Sequence, residues 1–140
     1  EMPSAEDDEA GAPAMGELGE LLDNILKAIK TSREEVFLTP AVKCHPLRAR
    51  QPQPDEIQSC RHYLEQQVEI VRPQKILCFG HSGLAALLPD KAHDAIARVR
   101  GKWFDYRGVP LMTTFSLSYM NRNRERKKTA WTDLQELMKK

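Results

Sequence analysis

Five cations crowd into one short stretch near the end of this chain: Arg122, Arg124, Arg126, Lys127 and Lys128, against a single acid, Glu125. Guanidinium and ammonium groups at that density suit phosphate, and each phosphate neutralised adds salt-dependent, sequence-blind affinity for nucleic acid. The plainer reading is a solvated helix start, but cations at a helix N-terminus oppose the helix dipole. The other end is acidic: residues 1–20 carry seven acids and no base. His45, His62, His81 and His93 are the side chains able to exchange protons near neutral pH. Of these, His81 stands just past an expected strand end, at the rim of an expected pocket, where a polar helix cap is the preferred reading. Cys44, Cys60 and Cys78 are an odd count without a dense framework, which favours a reducing cytoplasm over a disulfide scaffold. Cys78 falls in a buried strand and reads as core.

The elements that must position these groups follow from periodicity. Residues 1–15 are rich in Ala, Gly, Pro and acid and read as loop. From Gly16 to Lys30 the residues Leu18, Leu21, Leu22, Ile25, Leu26 and Ile29 form one helical stripe. Ser32 with Glu35 predicts a capped turn, and Val36–Thr39 a short buried strand stopped by Pro40. Pro54 suits the first turn of a second helix, with Asp55 and Glu56 at its positive end and an inner face of Ile57, Cys60, Leu64, Val68 and Val71. Pro73 ends it. Lys75–Gly80 is a continuous apolar strand of the kind buried in a parallel sheet. A short helix spans Ser82–Leu88, a hairpin joins Trp103–Tyr106 to Val109–Phe115, and a last helix runs from about Arg126, burying Ala130, Leu134, Leu137 and Trp131.

Alternating strands and helices predict α/β layering, a three-layer α/β/α sandwich on a mostly parallel sheet of about four strands. Ligands in such sheets sit at the carboxyl ends of the strands, here Thr39–Pro40, Gly80–His81 and Phe115–Ser116. A length of 140 residues suits one domain over residues 1–140. No apolar run approaches the roughly 20 residues that cross a bilayer, and the acidic opening is unlike a signal peptide.

Several motifs, in order, resemble the iron–sulfur (family 4) uracil-DNA glycosylases. They are Glu1-Met2-Pro3-Ser4, Gly11-Ala12-Pro13-Ala14-Met15-Gly16 and Gly19-Glu20-Leu21-Leu22-Asp23. Next come Thr39-Pro40-Ala41-Val42-Lys43-Cys44, Cys60-Arg61-His62-Tyr63-Leu64 and Arg100-Gly101-Lys102-Trp103-Phe104, and last Phe115-Ser116-Leu117-Ser118-Tyr119. The resemblance covers essentially the whole chain. It implies the glycosylase fold, with the family's first strand ahead of Glu1. It also implies a base pocket at Glu1, Pro3, Ser4, Ala14, Pro40 and Ser116. DNA contacts are implied at Ser116, Tyr119, Arg122, Arg124 and Lys127, with Tyr119 or Met120 packing or wedging beside them. Cys44 and Cys60 stand at the positions of two ligands of the family's 4Fe-4S cluster, which needs four cysteines; with two in place, no cofactor is expected unless upstream cysteines complete it.

The family stacks the base on a Phe, reads its edge with an Asn and stabilises the leaving base with a His. Ala14, Pro40 and Ser116 stand at those positions. Alanine has no π face, proline offers neither amide nor N–H, and serine cannot become cationic. These departures lead to the expectation of a non-catalytic glycosylase-fold protein, a pseudoenzyme working in DNA replication or repair through protein partners. Ile25–Pro40 also resembles the psi subunit of the bacterial DNA polymerase III clamp loader, so a chi-like or clamp-loader partner is expected, with DNA phosphate contacts. The alternative is a divergent active uracil-DNA glycosylase that excises uracil or another deaminated base.

Overall fold

The computed structural model describes residues 4–43 and 50–140. Expectations placed on Glu1, Pro3, Cys44 and His45 lie outside those residues. The chain runs α1 (Ala5–Ala10), α2 (Gly16–Ala28), α3 (Pro54–Val71), β1 (Ile76–Phe79), α4 (His81–Leu87), α5 (Ile96–Val99), β2 (Trp103–Tyr106), β3 (Val109–Thr114), α6 (Leu117–Arg122) and α7 (Arg124–Lys139). Single 3-10 turns lie at Arg33–Glu35 and Pro89–Lys91.

The sheet holds three strands among the described residues, in the order β1-β3-β2. β1 runs parallel to β3, with Ile76 opposite Leu111 and Phe79 opposite Thr114. β2 returns antiparallel, with Trp103 opposite Met112. Successive residues of a strand point to opposite faces, so β3 feeds two cores. Leu111 packs with Leu64, Cys78, Leu84, Leu87 and Val99 on the side of α3 and α4. Met112 packs with Ile25, Phe115, Met120, Leu134 and Leu137 on the side of α2, α6 and α7. This is the expected α/β/α sandwich, with a mixed sheet of three strands in place of about four.

The missing strand has a physical reason. Val36–Pro40 lacks ladder pairing among the described residues, and the second edge of β1 carries no strand there. Phe37 stays 54% exposed, so this stretch is extended backbone without a neighbour to bond. Residues 1–15 are not all loop: Ser4 caps α1 in a capping box, its Oγ accepting from the Asp7 N–H at 3.1 Å while its own N–H donates to Asp7 Oδ2 at 3.0 Å. Ser32 makes no side-chain cap bond at the turn that follows it; Thr31 Oγ1 donates to Glu35 instead, at 2.9 Å.

The remaining differences are local. α7 begins earlier than expected, and α5 and α6 add two short helices. Trp131 lies on the outer side of α7 and Val71 on that of α3, both partly exposed. α3 otherwise follows its pattern: Pro54 occupies its first turn, the Gln53 N–H donates to Glu56 Oε1 at 2.8 Å, and Arg72 ends it in the left-handed region (φ 51°) before Pro73.

Candidate active site

The carboxyl ends of β1 and β3 lie side by side. Gly80 follows β1 with φ 85°, and a Cβ built on it would stand 2.9 Å from the Cβ of Ser116. Only glycine permits both that backbone and that approach. The Gly80 N–H donates to the Thr114 carbonyl at 2.9 Å, and Thr113 Oγ1 donates to the Gly80 carbonyl at 3.1 Å. Ser116 then caps α6: its Oγ accepts from the Tyr119 N–H at 3.2 Å and lies 3.3 Å from Ser118 Oγ.

A buried ionic cluster backs this corner. Asp133 on α7 accepts from Arg100 at 2.7 and 3.0 Å and from Thr114 Oγ1 at 2.6 Å, while Arg100 also donates to the Thr129 carbonyl at 2.7 Å. Burial pushes the Asp133 carboxyl above its ordinary 3.8, outweighing Thr114 and Arg100, which pull it down. The Arg100 guanidinium lies 5.2 Å from the centre of the Phe115 ring, and that of Arg126 lies 5.8 Å from it.

Two further segments converge from the other side. The Pro13–Ala14 turn is held by Arg33, which donates to the Pro13, Ala14 and Gly19 carbonyls at 3.2, 2.6 and 3.2 Å and pairs with Asp23. Asp7 adds an acceptor for the Met15 N–H at 2.6 Å. The Thr39–Pro40 segment is held by Lys43, whose Nζ donates to Thr39 Oγ1 at 2.6 Å, to Gln67 Oε1 at 3.0 Å and to the Pro40 carbonyl. Partial burial pulls the Lys43 ammonium below its ordinary 10.5, partly countered by the nearby Cys60 thiol.

These segments border one cavity of about 1010 Å³, mostly apolar, extending along β1 between α2 and α3. Its size is at the top of the range for ligand pockets, roughly 300–1,000 Å³. Ser4, Ala14 and Pro40 line it. Ser116 does not, although its neighbour Leu117 does, and His81 is likewise outside the lining, at the start of α4. Arg33, Asp7 and Gln67 were missed by sequence reasoning. Their partners are distant in the chain for Arg33 and Gln67, whereas the Ser4-x-x-Asp7 spacing of a capping box was there to be seen.

The implied DNA-contact residues separate into two groups. Arg122, Arg124, Arg126, Lys127 and Lys128 are all exposed and, among the described residues, make no ion pair. Tyr119 is partly buried with its ring centre 5.2 Å from that of Phe115, while Met120 is 1% exposed and belongs to the core, so it is not free to wedge.

The described residues do not form a cluster site. No group of three or more His, Cys, Asp and Glu stands together among them. Cys60 is a half-buried free thiol on α3, and Cys44 lies outside the described residues. Burial pushes the Cys78 thiol up to about 12, which keeps it protonated core rather than a ligand.

A mixed α/β/α sandwich with a large, mostly apolar cavity running along β1 has the build of a ligand-handling α/β domain, and an exposed basic run opens α7. The family is shown directly: the model of the uracil DNA glycosylase superfamily matches residues 1–135, and the chain belongs to that superfamily. A type-4 uracil-DNA glycosylase of Thermotoga maritima is 37% identical over 89% of this chain and 65% of its own length. One of Archaeoglobus fulgidus is 36% identical over 75% of this chain and 54% of its own. One of Pyrobaculum aerophilum is 34% identical over 85% and 62%. The chain thus spans about half to two thirds of the length of these curated relatives.

These relatives overturn two expectations. The first is a pseudoenzyme, more a non-enzyme than an enzyme, on the strength of Ala14, Pro40 and Ser116. Identity of 34–37% to proteins named as uracil-DNA glycosylases favours the enzyme reading over it. The second is the likeness to psi, which rests on the short stretch Ile25–Pro40; the relatives over the same stretch are uracil-DNA glycosylases and do not support it. No helix among the described residues is long and apolar enough to cross a membrane.

Proposed function

We propose that this chain carries a DNA glycosylase activity, excising uracil or another deaminated base from DNA in the cytoplasm. The observation that carries the proposal is its 34–37% identity, over 75–89% of its length, to type-4 uracil-DNA glycosylases. The geometry supports it: the Ala14 turn and the Thr39–Pro40 segment, each clamped by its own polar side chain, line one cavity that runs along β1.

The reaction breaks the bond between the base nitrogen and sugar C1′. The electron pair leaves with the base, water adds at C1′, and a proton from that water ends on the base. Such an enzyme must take the nucleotide out of the helical stack. Arg122, Arg124 and Lys127, all exposed, are the groups we assign to hold the phosphates while it does so. Ala14 and Pro40 are small, rigid walls whose carbonyls are fixed by Arg33 and Lys43. The Ser116 hydroxyl, a neutral donor, stands where the resemblance implies an imidazole. Loss of one charge-stabilising donor costs on the order of 100-fold or more in rate, so turnover is expected to be slow.

The test is base release under single-turnover conditions. An end-labelled oligonucleotide bearing one uracil opposite guanine is incubated with excess protein, then cleaved at abasic sites with alkali. A product that accumulates over minutes to hours, and is absent when cytosine replaces uracil, supports the proposal. Absence of product with uracil- and hypoxanthine-containing DNA alike refutes it.

A further inference from the structure

We propose that the amino end of the sheet carries a second binding site, built around Tyr106, Arg72 and Glu69, that takes a neutral aryl amide. It lies at the far end of the strands from Gly80 and Ser116 and stands independently of the glycosylase reading. β2 runs antiparallel to β3, so its last residue, Tyr106, stands beside Val109, the first of β3. Val109 shares a face with Leu111, which packs toward α3. Tyr106 therefore faces α3 as well. Between the hairpin and the last turn of α3 lies a pocket of about 230 Å³, with Val68, Pro73 and Val109 as its apolar walls.

One polar atom here lacks a partner. Tyr106 is 4% exposed, and its buried hydroxyl makes no hydrogen bond among the described residues. Arg107, Glu65 and Glu69 all act on it electrostatically. Arg107 and Glu69 border the pocket, so the hydroxyl lies on the pocket side. Burial holds the phenol above its ordinary 10, which keeps it a donor at neutral pH. A buried donor left unmatched weighs against the folded state until an acceptor reaches it. Arg72, exposed and without an ion pair among the described residues, is a second donor at the same pocket. Arg107 is otherwise engaged. It reaches Glu65 and Glu69 at 3.4 and 3.5 Å and lies 5.2 Å from the centre of the Tyr106 ring. Those bonds are longer than ordinary N–H···O bonds of roughly 2.7–3.2 Å, so the Glu69 carboxylate has lone pairs to spare.

These surroundings select the ligand. Arg72 and Arg107 stand against Glu65 and Glu69, so the local charge is already balanced. The last turn of α3 adds the negative end of a helix dipole. An anion would meet two carboxylates and that dipole, and a cation would meet two guanidinium groups. A neutral group with both an acceptor and a donor meets neither penalty. An amide has both: its carbonyl oxygen accepts from Tyr106 and Arg72, and its N–H donates to Glu69. The remaining wall is apolar and asks for an apolar body. The pocket is smaller than the roughly 300–1,000 Å³ of ordinary ligand sites, which suits one ring with its amide. Val68, Arg72 and Pro73 also border the large cavity, so a ligand here braces part of that cavity's wall.

Benzamide is the probe, titrated into the whole chain by calorimetry. Saturable binding is expected, with a dissociation constant on the order of 1 mM or tighter. Benzoate has the same shape and a negative charge, and should bind about tenfold more weakly or worse. Propionamide carries the amide without the ring, as a glutamine side chain of a partner protein would, and should also bind about tenfold more weakly. Tyr106→Phe removes only the unpartnered hydroxyl. It should fold with a melting temperature no lower than the parent's and lose about tenfold in benzamide affinity. Four results would each overturn the proposal: no saturable binding of benzamide, benzoate binding as tightly as benzamide, propionamide doing the same, or a Tyr106→Phe affinity within twofold of the parent's. The last would place the benzamide elsewhere, for instance in the large apolar cavity. None of these outcomes bears on base excision, so the two readings stand or fall separately.

Discussion

Replacing Asp133 with alanine removes three hydrogen bonds from a carboxylate only 3% exposed: two from Arg100 and one from Thr114 Oγ1. It leaves Thr114, fully buried, without a partner, and Arg100, whose side chain is 20% exposed, with only the Thr129 carbonyl to bond. Breaking one partner of a buried pair costs about 3–5 kcal/mol, because the cost of burying the surviving charge is no longer offset. For a chain of this length each kcal/mol is worth roughly 3 °C, so the melting temperature should fall by about 10–15 °C. Urea unfolding at pH 7 gives the free energy directly. A double variant, Asp133→Leu with Arg100→Met, removes both charges and should recover much of the stability. The pH dependence has a definite sign. The folded carboxyl sits above the ordinary value of 3.8, so folding is favoured by proton binding. Its contribution is fully present below 3.8 and is lost as pH rises through the folded value. The advantage of the parent protein over Asp133→Asn should therefore shrink from pH 3.8 upward. A cost under 1 kcal/mol for Asp133→Ala, or single costs that simply add in the double variant, would refute the view that Arg100 and Asp133 act as one buried unit.

Three other perturbations bear on the site. Gly19→Ala should destabilise despite placing a better helix former inside α2, because its Cβ would lie 2.2 Å from the Ala14 carbonyl oxygen; a thermal melt equal to or above the parent's would contradict the packing of that turn. Ser116→His should raise uracil excision on the order of 100-fold while costing about 1 kcal/mol through removal of the helix cap, and an unchanged rate would mean that an imidazole here does not reach the base. Arg122→Ala, Arg124→Ala and Lys127→Ala should each weaken DNA binding regardless of sequence, the logarithmic salt slope falling by roughly 0.9 for each duplex phosphate no longer neutralised; a slope unchanged in all three would place the DNA elsewhere.

Where the sequence was informative, the signal was local. The stripe Leu18–Ile29, the Pro54 start of α3 and the apolar run into Gly80 each predicted an element within a few residues of where it lies. Each depends on spacing along one segment. Val36–Thr39 carries the same kind of pattern, yet forms no strand, because a strand needs a neighbour and none lies beside it among the described residues. α1 failed for the opposite reason: its composition read as loop, and the Ser4–Asp7 cap outweighed it. At the site, Ser4, Ala14 and Pro40 were legible through resemblance. What holds them was not. Arg33 reaches back 19 positions to the Ala14 carbonyl, and Thr39 meets Gln67 across 28. Interactions at such range are set by how the layers dock, and no periodicity announces them.

The polar clamps also bear on why Ala14, Pro40 and Ser116 misled. Substitution at three pocket positions reads as decay when side chains are taken one at a time. The backbone beneath them tells otherwise. Arg33 fixes the Ala14 turn, Lys43 fixes Thr39–Pro40, Thr113 fixes Gly80, and Asp133 with Arg100 fixes the end of β3. Two of these clamps bury ionised groups at a cost visible in their shifted proton affinities. Apolar packing of equal volume would hold the same corners at least as well. A scaffold freed from chemistry has no need of such groups, whereas a site that must place carbonyls and hydroxyls to within a fraction of an ångström does. Under the proposed glycosylase reading, these clamped carbonyls and hydroxyls are the groups whose positions the chemistry depends on.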